Sequence, residues 1–208
     1  MNEMTNNLMK DGYIKSDNVI EAFADIDRME FVPQDLELQA EANIPLPIGY
    51  GQTISQPMTV AIMMELLDVQ RGHNVLDIGS GSGWTTALLC HMVGEKGKVT
   101  AVEHVPELLE FGKNNVSKYG FIEKGIVEFH EGDGVDGYVK NAPYDRILVS
   151  ASAMEVPDAL EMQLKIGGKI VIPIHNRISY LKKNDEHDFY KEEYSGFSFV
   201  PLMQKSDD

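Results

Sequence analysis

Val75-Leu76-Asp77-Ile78-Gly79-Ser80-Gly81-Ser82-Gly83-Trp84 decides how this chain is read. A short apolar run ends in an acid, breaks into glycines at alternate positions, and resumes with helical character from Thr85 to Val93. The physical reading is a buried strand, a turn whose backbone must approach something closely, and a helix start. Glycine suits that turn because a Cβ would block the approach and because positive φ costs it little. The helix start beyond it offers unpaired N–H groups.

The spacing narrows the ligand. The dinucleotide fingerprint G-x-G-x-x-G packs a pyrophosphate on a helix N-terminus. Here the order is Asp-x-Gly-x-Gly-x-Gly, and an anion beside Asp77 would be repelled. A carboxylate there suits an ammonium, met directly or through water. Glu103 ends a second strand, Lys98–Glu103, about 24 residues after Gly79, where an acid can accept both hydroxyls of a ribose. Adenosine carrying a charged amino acid answers both acids, and that is S-adenosylmethionine. The plainer alternative is a glycine turn that only joins strand to helix.

Composition permits this reading. At 208 residues the chain suits one domain, 1–208, able to bury about 70% of its unfolded surface. Within it we expect an N-terminal helical segment at about 13–67, an α/β core at about 68–174, and C-terminal strands at about 175–203. Hydrophobic content of 43% and charged content of 25% are ordinary for a globular protein. A net charge of −15 argues against a nucleic-acid backbone as partner. No apolar stretch reaches the ~18 residues of a membrane span, and the polar start Met1-Asn2-Glu3 does not resemble a signal peptide. Cys90 stands alone among Leu88, Leu89 and Met92 and reads as core. The six histidines have no ligand spacing, so no metal is expected. A reducing cytoplasm fits best.

Strands and helices alternate. Helices are expected at Asp17–Asp27, Gln56–Leu67, Thr85–Val93, Pro106–Tyr119 and Val156–Leu164, the last stopped by Gly167-Gly168. Strands are expected at Ile126–Phe129, Asp145–Val149 and Lys169–Ile174, with short ones near Ser179–Leu181 and Phe197–Val200. Ile44–Gln52 reads as a loop, and Asp185–Glu193 and the last four residues read as mobile charged surface. This pattern predicts a Rossmann-like α/β fold, a mostly parallel twisted sheet with helices on both faces. Such sheets bind ligands beyond the carboxyl ends of their strands, where Asp77, Glu103 and Asp133 all fall.

From about Val19 to Leu202 the chain resembles the protein-L-isoaspartate O-methyltransferases. The most specific match is Leu46-Pro47-Ile48-Gly49-Tyr50-Gly51-Gln52-Thr53-Ile54-Ser55-Gln56-Pro57, supported by Phe31-Val32-Pro33, Gly132-Asp133-Gly134, Ala142-Pro143-Tyr144-Asp145, Gln163-Leu164-Lys165 before Gly167-Gly168, and Phe199-Val200-Pro201-Leu202. The resemblance implies a repair enzyme that methylates the free carboxylate of L-isoaspartyl residues in damaged proteins and releases S-adenosylhomocysteine; a monomer is expected. It points to Ser55 as the active-site residue, and the hydroxyls of Thr53 and Ser55 are suited to aiming one carboxylate oxygen at the methyl. Asp77, Gly79, Ser80, Gly81 and Gly83 would hold the methionine end, Glu103 the ribose, and Gly132, Asp133 and Gly134 the adenine.

Plainer roles compete. Ser55 could cap the following helix, Thr53 could only order its loop, and Asp133 and Asp145 could be turn residues. Four positions depart from the family pattern in segments expected near substrate or cofactor: Glu41 in place of an aromatic, Met58, His175-Asn176 and Ser179. They leave two alternatives open, a methyltransferase for another carboxylate and a non-catalytic cofactor-binding module.

Overall fold

In the computed structural model, which describes residues 1–202, the N-terminal third is helical except for one hairpin. Helices α1 (Glu3–Lys10) and α2 (Asp17–Asp25) precede strands β1 (Leu46–Gly49) and β2 (Gln52–Ile54), and α3 (Pro57–Leu67) follows. Then come β3 (Asn74–Ile78), α4 (Trp84–Val93), β4 (Lys98–Glu103), α5 (Pro106–Ser117), β5 (Val127–Glu131) and β6 (Tyr144–Val149). Helix α6 (Asp158–Gln163) leads into β7 (Leu164–Ile174), β8 (Arg177–Lys183) and β9 (Phe189–Ser195).

The main sheet has the order β5-β4-β3-β6-β7-β8-β9. Strands β3 to β7 pair in parallel, and β8 and β9 add antiparallel at one edge. One apolar cluster fills the face under α1 to α5; a second, built on Tyr144, Ile147, Leu160 and Ile172, fills the other face under α6. Cys90 is buried in the first and free. The order reverses beside β3, whose neighbours are β4 and β6, so a crevice forms past its carboxyl end. Register keeps the strand ends level there, with Ile78 opposite both Val102 and Val149. The ends are laced by Gly79 N–H to the Val102 carbonyl (2.9 Å), Gly132 N–H to the Glu103 carbonyl (3.0 Å) and Ser150 N–H to the Ile78 carbonyl (2.9 Å).

Several local expectations are corrected. The Ile44–Gln52 loop contains β1 and turns into β2 through Gly49, Tyr50 and Gly51, all at positive φ. Gly167-Gly168 does not stop a helix: α6 ends at Gln163, and the glycines lie inside β7, where Gly167 takes φ +80 and the register with β6 shifts. A strand bulge uses glycine for the same conformational reason as a helix terminus, so the local signal was shared. Of Asp185–Glu193, expected to be mobile surface, the part from Phe189 on lies in β9, paired with β8 from Arg177–Ser195 to Lys183–Phe189. Its alternating Tyr190, Glu192 and Tyr194 were outweighed by charge. Phe197–Val200, expected as a strand, is irregular; only Pro201 beyond it bridges to Ser152. The expectation for the last four residues lies outside the described residues. Helix α1, unassigned from sequence, buries Met4 and Leu8.

Turn and helix meet at glycines. A Cβ on Gly83 (φ +86) would lie 2.7 Å from the Gly112 carbonyl oxygen in α5 and 2.8 Å from Val116 Cγ2. Gly83→Ala should therefore destabilise the ligand-free chain by about 2–4 kcal/mol, from overpacking plus left-handed strain. Chemical denaturation measures this, and a loss below 0.5 kcal/mol would contradict the contact.

Candidate active site

A cleft opens past the carboxyl ends of β3, β4 and β6. The turn after β3 supplies Gly79, Ser80, Gly81 and Ser82; β4 supplies Val102 and Glu103, followed by His104; and Gly132 and Gly134 come from the segment after β5. Ile48, Gln52, Thr53, Ile54 and Ser55 close one side, and Val200, Pro201 and Leu202 another. A more open groove continues from it, walled by Pro45, Gln56, Met58, Thr59, Phe197, Ser198 and Phe199. Thr53, Ser55, Ser150 and Val200 line both.

Glu103 is buried and held by backbone. Its Oε2 accepts from Gly81 N–H (2.8 Å), and its Oε1 from His104 N–H (2.9 Å) and Val105 N–H (3.0 Å). With two acceptor positions per oxygen, Oε1 is filled and Oε2 keeps one. The carboxylate thus braces the glycine turn, with room for one further donor rather than the two expected.

Asp77 differs more from expectation. It is fully buried and absent from the cleft wall. Its Oδ2 accepts from Thr86 Oγ1 at 2.6 Å and Thr85 Oγ1 at 3.1 Å. Thr85 does line the cleft, so Asp77 reaches it only through that hydroxyl. A strand-terminal acid reads the same in sequence whether its side chain turns outward or back under the next helix. Gly83 also stays off the wall, spent on the α5 contact. Asp133 is likewise not in the wall; its Oδ1 accepts from Val135 N–H (3.0 Å), the turn role, while its glycine neighbours face the cleft.

Ser55 follows β2 and precedes α3, whose N-cap is Gln56 with no side-chain cap bond. Capping is therefore not its role. Thr53 sits in β2 opposite Pro47. Asp145 fixes the far end of the sheet, accepting from Asn74 N–H (2.8 Å) and Lys165 Nζ (2.8 Å). Of the four departures, only Met58 lines the groove. Glu41 is exposed, His175-Asn176 forms the β7–β8 turn, and Ser179 is buried in β8, outside both walls. Sequence reading missed the tail walls Phe197 to Leu202, whose pattern is too short to periodise, and His104, which only adjacency to Glu103 signals.

The model of the protein-L-isoaspartate(D-aspartate) O-methyltransferase family, PCMT, matches residues 1–207. The chain belongs to this family. A Methanopyrus kandleri protein-L-isoaspartate O-methyltransferase is 46% identical over 196 residues, covering 92% of this chain and 86% of that one. A solved protein-L-isoaspartate O-methyltransferase superposes with TM-score 0.86 at 32% identity, over 97% of this chain and 65% of that one. The Plasmodium falciparum structure, in complex with S-adenosyl-L-homocysteine, shares the fold at TM-score 0.86 and 24% identity, over 96% of each chain. Among the described residues no helix is long and apolar enough to cross a membrane, and no cluster of three or more His, Cys, Asp or Glu could hold a metal.

Burial raises the Asp77 pKa to about 6, against the pull of Thr86 and Thr85. An unfolded aspartate titrates near about 3.9, so folding disfavours the charged form. The residue's contribution to stability is present below about pH 4 and is lost as pH rises through about 6. Relative to Asp77→Asn, ligand-free wild type should lose about 3 kcal/mol between pH 4 and 7. Urea denaturation across that range tests this; a constant difference would place the carboxyl in a polar environment.

Proposed function

We propose that the cleft holds S-adenosylmethionine, the groove holds the isoaspartyl residue, and Thr53 and Ser55 stand where the two meet. The chain is an S-adenosylmethionine-dependent O-methyltransferase, and its family acts on the free carboxylate of L-isoaspartyl residues in damaged proteins. The observation that carries the finer reading is the pair's position in both walls, Thr53 within β2 and Ser55 between β2 and α3.

The cleft fits the cofactor. Its described lining contains no Lys or Arg, and its one carboxylate is Glu103, so a pyrophosphate would find no cation. Gly79, at φ +73, would place a Cβ 3.9 Å from Ser150 Cβ and 4.0 Å from Ala151, ordinary contact distances that leave a cradle against both. The glycine turn with Ser80 and Thr85, backed by Asp77, would hold the amino-acid end. The free acceptor of Glu103 would take a ribose hydroxyl, and Gly132, Gly134 and Leu108 would flank the base. When bound, S-adenosylmethionine supplies a methyl group on a sulfonium, which passes to a carboxylate oxygen and leaves S-adenosylhomocysteine.

The chain's residues need not move a proton, because a carboxylate is already ionised at neutral pH. Thr53, Ser55, Thr59 and Ser150 offer hydroxyls around the groove, and none of its described lining residues is charged. A carboxylate there is oriented without being neutralised, and partial removal from water raises its reactivity. We propose further that the chain acts as a monomer and as a single domain. The lone, buried Cys90 supports a reducing, cytoplasmic setting. Met58 in the groove wall favours a second reading, in which a different carboxylate is methylated.

Labelled methyl transfer to matched L-isoaspartyl and aspartyl peptides tests the function: label is expected on the first only. Ser55→Ala should lower kcat/KM by about 10- to 100-fold with S-adenosylhomocysteine affinity within threefold of wild type. Label on neither peptide would sink the repair reading. Separately, Glu103→Gln should weaken S-adenosylhomocysteine binding by about tenfold or more in calorimetry, since a charge-assisted acceptor becomes neutral.

A further inference from the structure

Arg28 lies in a short 3-10 turn (Arg28–Phe31) after α2 and is 1% exposed. No carboxylate pairs with it among the described residues. Its fork donates instead to main-chain carbonyls of a single region. One terminal nitrogen reaches Ala40 (2.7 Å) and Ala42 (3.4 Å), and the other reaches Ile44 (3.0 Å) and Ser55 (3.1 Å). The guanidinium carbon also lies 5.2 Å from the ring centroid of Trp84, a residue of the cleft wall. Asn43, inside the clamped segment, accepts from Met58 N–H at 3.0 Å at the groove wall.

We propose that Arg28 is a positioning residue for methyl transfer: it clamps residues 40–44 to Ser55 and seats both against Trp84. The proposal rests on the methyltransferase reading of the Thr53–Ser55 arm. Residues 40–44 and Ser55 flank the open end of the β1–β2 hairpin, whose ladder stops at Leu46–Ile54, and a planar fork with five donors can hold the carbonyls beyond it on both sides. A lysine head is a single point and cannot span them. Burial lowers the guanidinium pKa to about 10, so it stays charged at neutral pH and binds carbonyl dipoles more strongly than a neutral donor would. Its hydrogen-bond partners all lie in this region, none in the sheet, which separates this role from bracing the core.

The test compares wild type with Arg28→Lys and, as a second variant, Arg28→Met. Amide exchange across residues 40–56 should accelerate at least about tenfold in both, while β3 and β4 keep their protection. The peptide KM should rise and kcat fall, together lowering kcat/KM by about 100-fold, with the dissociation constant of S-adenosylhomocysteine within threefold. Wild-type exchange and kinetics in Arg28→Lys would overturn the clamp, because charge alone would then suffice. Equal loss of cofactor affinity and strand protection would overturn it too, leaving a core brace. If wild type fails to methylate the isoaspartyl peptide, the functional reading falls, and the exchange pattern still decides whether the clamp exists.

Discussion

The turn after β3 and the helix α5 touch backbone to backbone, and the cleft depends on that contact. A Cβ on Gly112 would stand 2.6 Å from the Gly81 carbonyl oxygen, and one on Gly83 would stand 2.7 Å from the Gly112 carbonyl oxygen. Two facing glycines let the turn sink to a depth that no side chain allows. Asn115 Nδ2 then donates to the Ser82 carbonyl at 3.0 Å, and Glu103 takes the Gly81 N–H from the side of β4. The turn is fixed from α5, from β4 and by its own strand. Gly79, at its near end, remains the open position.

That geometry distributes charge in an unusual way for a chain with net charge −15. Asp77 is buried beneath the turn, Glu103 is bound by N–H groups, and the groove lining carries hydroxyls and apolar surface. The reaction joins a cationic donor to an anionic acceptor, so each side needs a different environment. Carboxylates suit the donor. A cation in direct contact would stabilise the acceptor carboxylate before reaction more than in the transition state, where its charge is dispersing. Hydroxyls orient with less of that penalty. The buried guanidinium of Arg28 stands behind the loop, bonded to carbonyls, and outside both walls.

The alternation of strands and helices from Val75 to Ile174 was legible because parallel strands buried on both faces leave continuous apolar runs. The glycine turn, Glu103 and the Ser55 loop were legible for a different reason: each restricts residue type locally. What escaped depends on tertiary partners. The direction of the Asp77 side chain is set by Thr85 and Thr86, eight and nine residues on. Gly167 could end a helix or bulge a strand, and only pairing with β6 decides. Strand β9 has alternation diluted by charge, as edge strands do when charge guards against further pairing. Arg28 was passed over because a lone arginine after a helix has no local signature; its four carbonyl partners lie 12 to 27 residues away.

The cleft's covers come from the β1–β2 hairpin and from the irregular tail, and both seat on the floor in the same way. Ile48 Cδ1, from the hairpin, stands 3.3 Å from where a Cβ on Gly81 would be, and Leu202 Cδ1, from the tail, stands 2.9 Å from that position on Gly134. Both apolar side chains rest on glycines of the floor, so the absence of Cβ atoms serves the cover as well as the ligand. The tail is tied down by Ser152 N–H to the Val200 carbonyl and Leu202 N–H to the Ser152 carbonyl, each 2.8 Å. These are main-chain bonds, which place almost no constraint on residue type. A wall that excludes water from the bound cofactor must be apolar and close-fitting. It need not be periodic, and so the tail's part of it leaves the sequence pattern almost unmarked.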